Sequence, residues 1–351
     1  DLEEDPRYLK NFFSEIKKLE WFDSIITQQF LCPNNNPPPR KTKDDYVSIP
    51  SWPVLDYLVA ASKLLQPQQN DGYAEKFIKV IREVTDYAIE NDINNHRTWW
   101  KFAKIIRRIR IDLLVPEDKE RVKFWFKDPY DKMLVGKELG VWLSYLLDNY
   151  TDNYECHVIS LIDVIFDIKE VKGGNAFGKQ KAILYMDNYH AEALAKSIAG
   201  KAGTLIGLKA VRKFESKLQC TLDIEKNDRQ SVFWRPAIEE HEQNLPADNT
   251  QVIILKAVRD CMEAFIKTHS AEATPHLLRL LLSGSQIKRR IGIYIAATNF
   301  SMVTPEMVLK IINVDNFEDF YRHEMWWFLN TNFSQLANDD KSRVINTIKL
   351  S

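Results

Sequence analysis

The residues that come nearest to a known chemistry are Gly173-Gly174-Asn175-Ala176-Phe177-Gly178-Lys179-Gln180. They fit G-x-x-x-x-G-K, the loop whose backbone N–H groups cradle phosphate. Gln180, however, stands where that loop needs the Mg²⁺-ligating hydroxyl of Ser or Thr. The run before it, Asp163 to Ile168, reads as the end of a helix, not as the buried strand that such a loop follows. A connector between helices accounts for the stretch better than a nucleotide-binding enzyme does. Gly200, Gly203 and Gly207 follow at i, i+3, i+7 and read as one helix face built for close packing.

A second candidate is a basic stripe. Lys101, Lys104, Arg107 and Arg108 project away from Trp99, Phe102, Ile106 and Ile109, so one helix face could track phosphates. Lys288-Arg289-Arg290 is the other visible basic group. A solvated face is the simpler explanation, and nucleic acid is the alternative partner. The tandem tryptophans Trp99-Trp100 and Trp326-Trp327 each send one ring inward and leave one at an edge. Edge aromatics suit protein interfaces, which selects Trp100 and Trp327 beside the four cations as candidate partner-binding residues.

Other reactive residues form no pattern. His241-Glu242 and His323-Glu324 lack the second histidine of H-E-x-x-H, and no histidine pair has zinc spacing. Cys156-His157 are neighbours on a helix, so their side chains diverge by about 100°. Cys32, Cys156, Cys220 and Cys261 are too scattered for a metal or redox pair and read as reduced thiols of a cytoplasmic protein. We therefore expect no cofactor, no metal and no catalytic residue.

The elements that must position these groups are helices. Apolar residues recur with a period near 3.6 through most of the chain, as in Phe77, Val80, Ile81, Val84 and Ala88, or Ile254, Ala257, Val258, Cys261 and Phe265. Val158, Leu161, Ile162 and Ile165, with Ile159 and Phe166 opposite, predict a helix that is apolar nearly all round. Gln219 to Ile224 is the one weak strand candidate. Ser51, Asp128, Thr274 and Thr304, each followed closely by proline, mark helix starts. The Thr274-Pro275 and Thr304-Pro305 starts look like two copies of one repeat, at the roughly 30 to 45 residues per helix pair of stacked α-repeats. The fold expected is all-α: a HEAT-like α-solenoid of stacked antiparallel helix pairs. Its divisions are N-terminal repeats over 1–170, a glycine-containing connector over 171–230 and C-terminal repeats over 231–351.

The composition agrees. The chain has 351 residues, 45% of them apolar and 28% charged, with a net charge of −1. A large core can form, while nothing draws the whole molecule to nucleic acid or an anionic membrane. No run is long and apolar enough to span a membrane. The chain opens on Asp1 and stays helical in pattern to Leu350, so it reads as a piece of a longer protein.

Three islands carry a resemblance: Ile49-Pro50-Ser51-Trp52-Pro53-Val54-Leu55-Asp56-Tyr57-Leu58, then Trp234 to Asn244, then Lys288 to Tyr294 with His323-Glu324 and Phe333-Ser334-Gln335-Leu336 downstream. Together they resemble the helical region of large bacterial proteins, some similar to STAND-type NTPases of antiphage defence. The resemblance implies a non-catalytic sensor or scaffold that recognises a protein partner, phage-derived in the defence case, with any chemistry in modules outside this stretch. In the second island Trp234 and Ile238 predict a helix start. Arg235, Glu239 and His241 form a candidate polar network there.

Overall fold

A computed structural model describes residues 6–42, 46–65, 71–126, 131–172, 180–226, 237–241, 244 and 249–350. Helix dominates, and the chain divides into two compact units. The first comprises Asp1–Ile165 with Tyr185–His190, and the second comprises Phe166–Leu184 with Ala191–Ser351.

The first unit holds α1 (Pro6–Glu15), α2 (Trp21–Thr27), a two-residue hairpin of β1 (Arg40–Lys41) and β2 (Val47–Ser48), α3 (Val54–Ser62), α4 (Asp71–Glu90), α5 (His96–Ile106), α6 (Pro116–Phe124), α7 (Asp131–Asp148) and α8 (Glu155–Ile165). The amphipathic stripes fix who touches whom. The odd-numbered helices α1, α3, α5 and α7 pack in series, while α4 packs on α6 and α6 on α8. Most of these helices thus meet the one two places along, and α7 also packs on α8, so that apolar stripes are buried between neighbours. The deepest part is aromatic: Trp99 and Trp125 are fully buried and stack with ring centroids 6.4 Å apart, and the Trp125 indole donates to Thr85 Oγ1 at 3.2 Å.

The second unit opens with an antiparallel hairpin, β3 (Ile168–Lys172) paired with β4 (Gln180–Leu184), in the register Ile168↔Leu184 to Lys172↔Gln180. There follow α9 (Asn188–Ile206, its first residues counted with the first unit), α10 (Leu208–Glu225), α11 (Thr250–Thr268), α12 (Ser270–Leu281), α13 (Gln286–Thr298), α14 (Pro305–Ile311), α15 (Arg322–Asn332) and α16 (Asn338–Leu350). Here consecutive helices pack, α10 on α11, α11 on α12 and α12 on α13, while α11, α13 and α15 also form one row and α12 packs on α14. Asn249, Ser285 and Thr304 cap α11, α13 and α14 through their side-chain oxygens.

Several expectations need correction. The strands are at β3 and β4, whereas Gln219 to Ile224 lies within α10. Five-residue runs such as Ile-Lys-Glu-Val-Lys are too short for alternation to show, and it is Thr250 Oγ1 and Glu225 Oε1, accepting from the Leu184 and Ala182 N–H groups, that seat the hairpin. Helix α8 stops at Ile165, so Ile168 belongs to a strand. Pro275 does not open a helix but sits inside α12, whose first turn forms earlier, on the carbonyl of His269. The Thr-Pro pair is therefore a helix start only at Thr304. Val54 begins α3, just past Ser51, and Asp128 lies outside the described residues. Ile238 falls in an irregular segment, not at a helix start. Of the glycine stripe, Gly203 presses on the Cys261 carbonyl, Gly200 faces open space, and Gly207 breaks the chain between α9 and α10 with φ +65°.

Candidate functional site

Helix α5 is positioned by the proline-rich loop before the first hairpin. Asn95 caps it, accepting from the Arg97 and Thr98 N–H groups, and its amide donates to the carbonyls of Pro37 and Pro50 at 2.8 and 3.0 Å. Thr98 donates to Asn36 Oδ1 at 2.7 Å in a buried contact. This anchoring turns the basic side of α5 toward neighbouring helices. Lys101 bonds Asp56 at 2.6 Å, and Arg108 donates to the Val59 carbonyl and Ser62 Oγ. Lys104 and Arg107 share Glu138 at 3.9 and 3.5 Å, and the Lys104 ammonium lies 3.5 Å from the centre of the Trp100 ring. Burial, then the neighbouring cations Arg107, Lys101 and Arg108, holds Lys104 below the usual lysine range against the pull of Glu138. The stripe is an internal ion-pair seam, and Trp100 is its half-buried lid.

The other basic group, in the second unit, is also spent internally. Arg290 and Glu324 form a bidentate pair at 2.8 and 2.9 Å with both side chains 1% exposed. Lys288 bonds Gln219, and Arg289 lies over the Tyr321 ring. Glu324 also accepts from the Ile238 N–H at 2.9 Å, and Arg259 donates to the Ile238 carbonyl and to Glu240. His323 pairs with Glu239 at 2.9 Å. The segment 237–241 is thus clasped from α11 and α15, with Arg290 of α13 holding Glu324 in place. Of the polar network expected there, Glu239 and His241 meet His323, while Trp234 and Arg235 lie outside the described residues.

Beside this clasp is an aromatic surface. Trp326 is 56% exposed, 6.2 Å from the His323 ring and 6.3 Å from Trp327. Trp327 is half-buried, and its indole N–H is buried with no partner among the described residues. Trp326 is thus the exposed ring of the pair; alternation along one helix cannot say which of two adjacent tryptophans faces out. Trp100 and Trp327 belong to different units.

Sequence reasoning missed a cavity in the first unit, a space of about 430 Å³. Its walls are Ile106 of α5, Val122 of α6, Trp142 of α7, Leu161 and Val164 of α8, and Leu114 of the connector. It is also lined by Cys156, His157 and Ser160 of α8 and by Asp112, Asp118 and Lys119. One wall is pinned by Arg82 of α4, which grips Asp118 with two bonds of 2.9 and 2.7 Å and donates to the Leu113 carbonyl. Burial alone would raise the Asp118 carboxyl, but Arg82 and the Val115 N–H outweigh it and hold it below the usual range. Lys119 pairs with Asp163, and Asp112 with Arg110. Burial lowers the His157 imidazole from its ordinary 6.5, against the pull of Asp112. The only sequence signal here was Cys156-His157, legible as adjacency and not as a shared cavity.

The glycine loop 173–179 lies outside the described residues. What flanks it is two antiparallel strands, whereas a phosphate loop joins a strand to a helix. Among the described residues no group of three His, Cys, Asp or Glu is placed to hold a metal ion, and no helix is long and apolar enough to cross a membrane. Comparison with known proteins returns no significant match to any family model, curated protein or solved structure.

Proposed function

We propose that the chain is a HEAT-like α-solenoid module, a non-catalytic sensor or scaffold that recognises a protein partner in the cytoplasm. The observation that supports this reading is the packing order: α1, α3, α5 and α7 in the first unit and α11, α13 and α15 in the second each meet the helix two places along, while α11, α12 and α13 also pack consecutively, as helix pairs stacked in series would. Stacks of this kind leave broad faces uncovered, and Trp326 with Trp327 and His323 supplies an aromatic anchor of the sort that dominates protein interfaces. The likeness of the three sequence islands to bacterial defence proteins supports a place within a larger bacterial protein and a phage-derived partner. The nucleic-acid alternative loses its main support, because the cations of α5 are held by Asp56, Glu138 and the carbonyl and hydroxyl of α3.

A photo-crosslinking amino acid at position 326, in living cells, tests the reading. The expected result is one specific protein adduct, absent when the crosslinker is placed at Tyr145. The purified adduct partner should bind the chain, and Trp326→Ala should weaken it at least about tenfold. No adduct, together with salt-dependent binding of DNA or RNA that survives about 150 mM salt, would replace it with the nucleic-acid reading.

A further inference from the structure

The cavity between α5, α6, α7 and α8 has a chemistry of its own. Its volume of about 430 Å³ lies in the range of about 300–1,000 Å³ typical of small-molecule sites. Its floor is aliphatic with one indole, from Ile106, Val122, Trp142, Leu161 and Val164. Each carboxylate and ammonium in its lining is already matched: Asp118 by Arg82 and Arg121, Lys119 by Asp163, and Asp112 by Arg110. A charged ligand would have to break one of these pairs or enter without a counter-ion, and desolvating an uncompensated charge is costly.

Two polar groups on the same wall remain unspent. The side chains of His157 and Ser160, one turn apart on α8, both line the cavity and make no hydrogen bond among the described residues. The imidazole, held neutral by burial, offers one donor and one acceptor, and the hydroxyl offers the same. We propose that this cavity binds a neutral small molecule with an apolar body and a single hydroxyl or carbonyl end, the body lying against Trp142 and Leu161 and the polar end meeting His157 and Ser160. The thiol of Cys156, the exposed cysteine of the four, stands at the mouth and reports occupancy.

The test uses the full chain with three probes of one length: 1-decanol, decanoate and decylammonium, each below its aggregation limit. Melting temperature and the rate of Cys156 alkylation by iodoacetamide, read by peptide mass spectrometry, are followed together. Decanol is expected to raise the melting temperature and slow Cys156 alkylation at least about threefold, the charged probes much less, since a ligand that binds only the folded chain stabilises it by mass action. Ser160→Phe, which fills the mouth, should abolish both effects. Equal effects of the three probes, no effect of decanol, or a decanol effect that survives Ser160→Phe would overturn the proposal. If Ser160→Phe does not fold, the decanol-specific protection of Cys156 in the native sequence decides alone.

Discussion

At the scale of single residues, what matters is how little room or how little charge a position can absorb. A Cβ on Gly203 would lie 2.1 Å from the Cys261 carbonyl oxygen, a backbone atom that cannot swing away, so α9 approaches α11 only because nothing is there. Gly203→Ala should therefore destabilise by about 1–3 kcal/mol or more. Gly200→Ala, facing open space in the same helix, should stabilise by about 0.5–1 kcal/mol through helix propensity. Urea unfolding of the two variants checks both signs. Glu324 is the opposite case, a charge that cannot be removed alone. Glu324→Ala leaves Arg290 buried without its carboxylate and the Ile238 N–H without its acceptor, at a cost of about 3–5 kcal/mol. Replacing the pair together by Met and Leu should recover much of that loss in the same measurement. His157 supplies a pH signature. Its folded pKa lies below the unfolded 6.5, with Asp112 the charged group opposing the shift, so its contribution is complete above that value and is lost as pH falls through it. Stability should fall as pH drops below 6.5, and the drop should be shallower in His157→Gln.

At the scale of elements, the connectors define more than their lengths suggest. The loop holding Asn36 and Pro37 is tied to the cap of α5 through Thr98 and Asn95, and that anchoring directs Lys101 and Arg108 into the seam with α3. Asn95→Ala would remove the cap and two long-range bonds to the carbonyls of Pro37 and Pro50. It should cost more than the about 1 kcal/mol of an ordinary cap, and thermal unfolding beside Thr304→Ala, a cap with no such tie, makes the comparison. The segment 237–241 behaves likewise: it has no regular structure, yet Arg259, Glu324 and His323 satisfy its backbone and side chains. Hydrogen-bond partners that far along the chain leave no local trace, so Ile238 read as a helix start and Glu239 as one acidic residue among many.

At the scale of the molecule, helices pack both on the next helix, as α12 on α13, and on the one two places along, as α5 on α7 and α13 on α15. Packing of this kind transmits damage locally. Trp125→Ala removes a fully buried indole stacked on Trp99, at about 3–5 kcal/mol. Hydrogen exchange should rise in α4, α5 and α6 while α1 keeps its protection, and an even rise across the first unit would mean a single cooperative core. The helical class and the helices around Val80, Trp99, Leu161 and Val258 were legible from the 3.6-residue period alone, because burying one stripe per helix is a local pattern that each segment carries by itself. The caps at Asn249, Ser285 and Thr304 were equally local chemistry, though only Thr304 was singled out in advance. The hairpin, the neutralised basic seam, the clasp around Ile238 and the cavity beside His157 were decided by the tertiary structure. Each depends on which side chain of a distant helix arrives opposite, and period and composition are silent on that: the same lysine on the same face is solvated or paired according to whether a Glu138 packs against it.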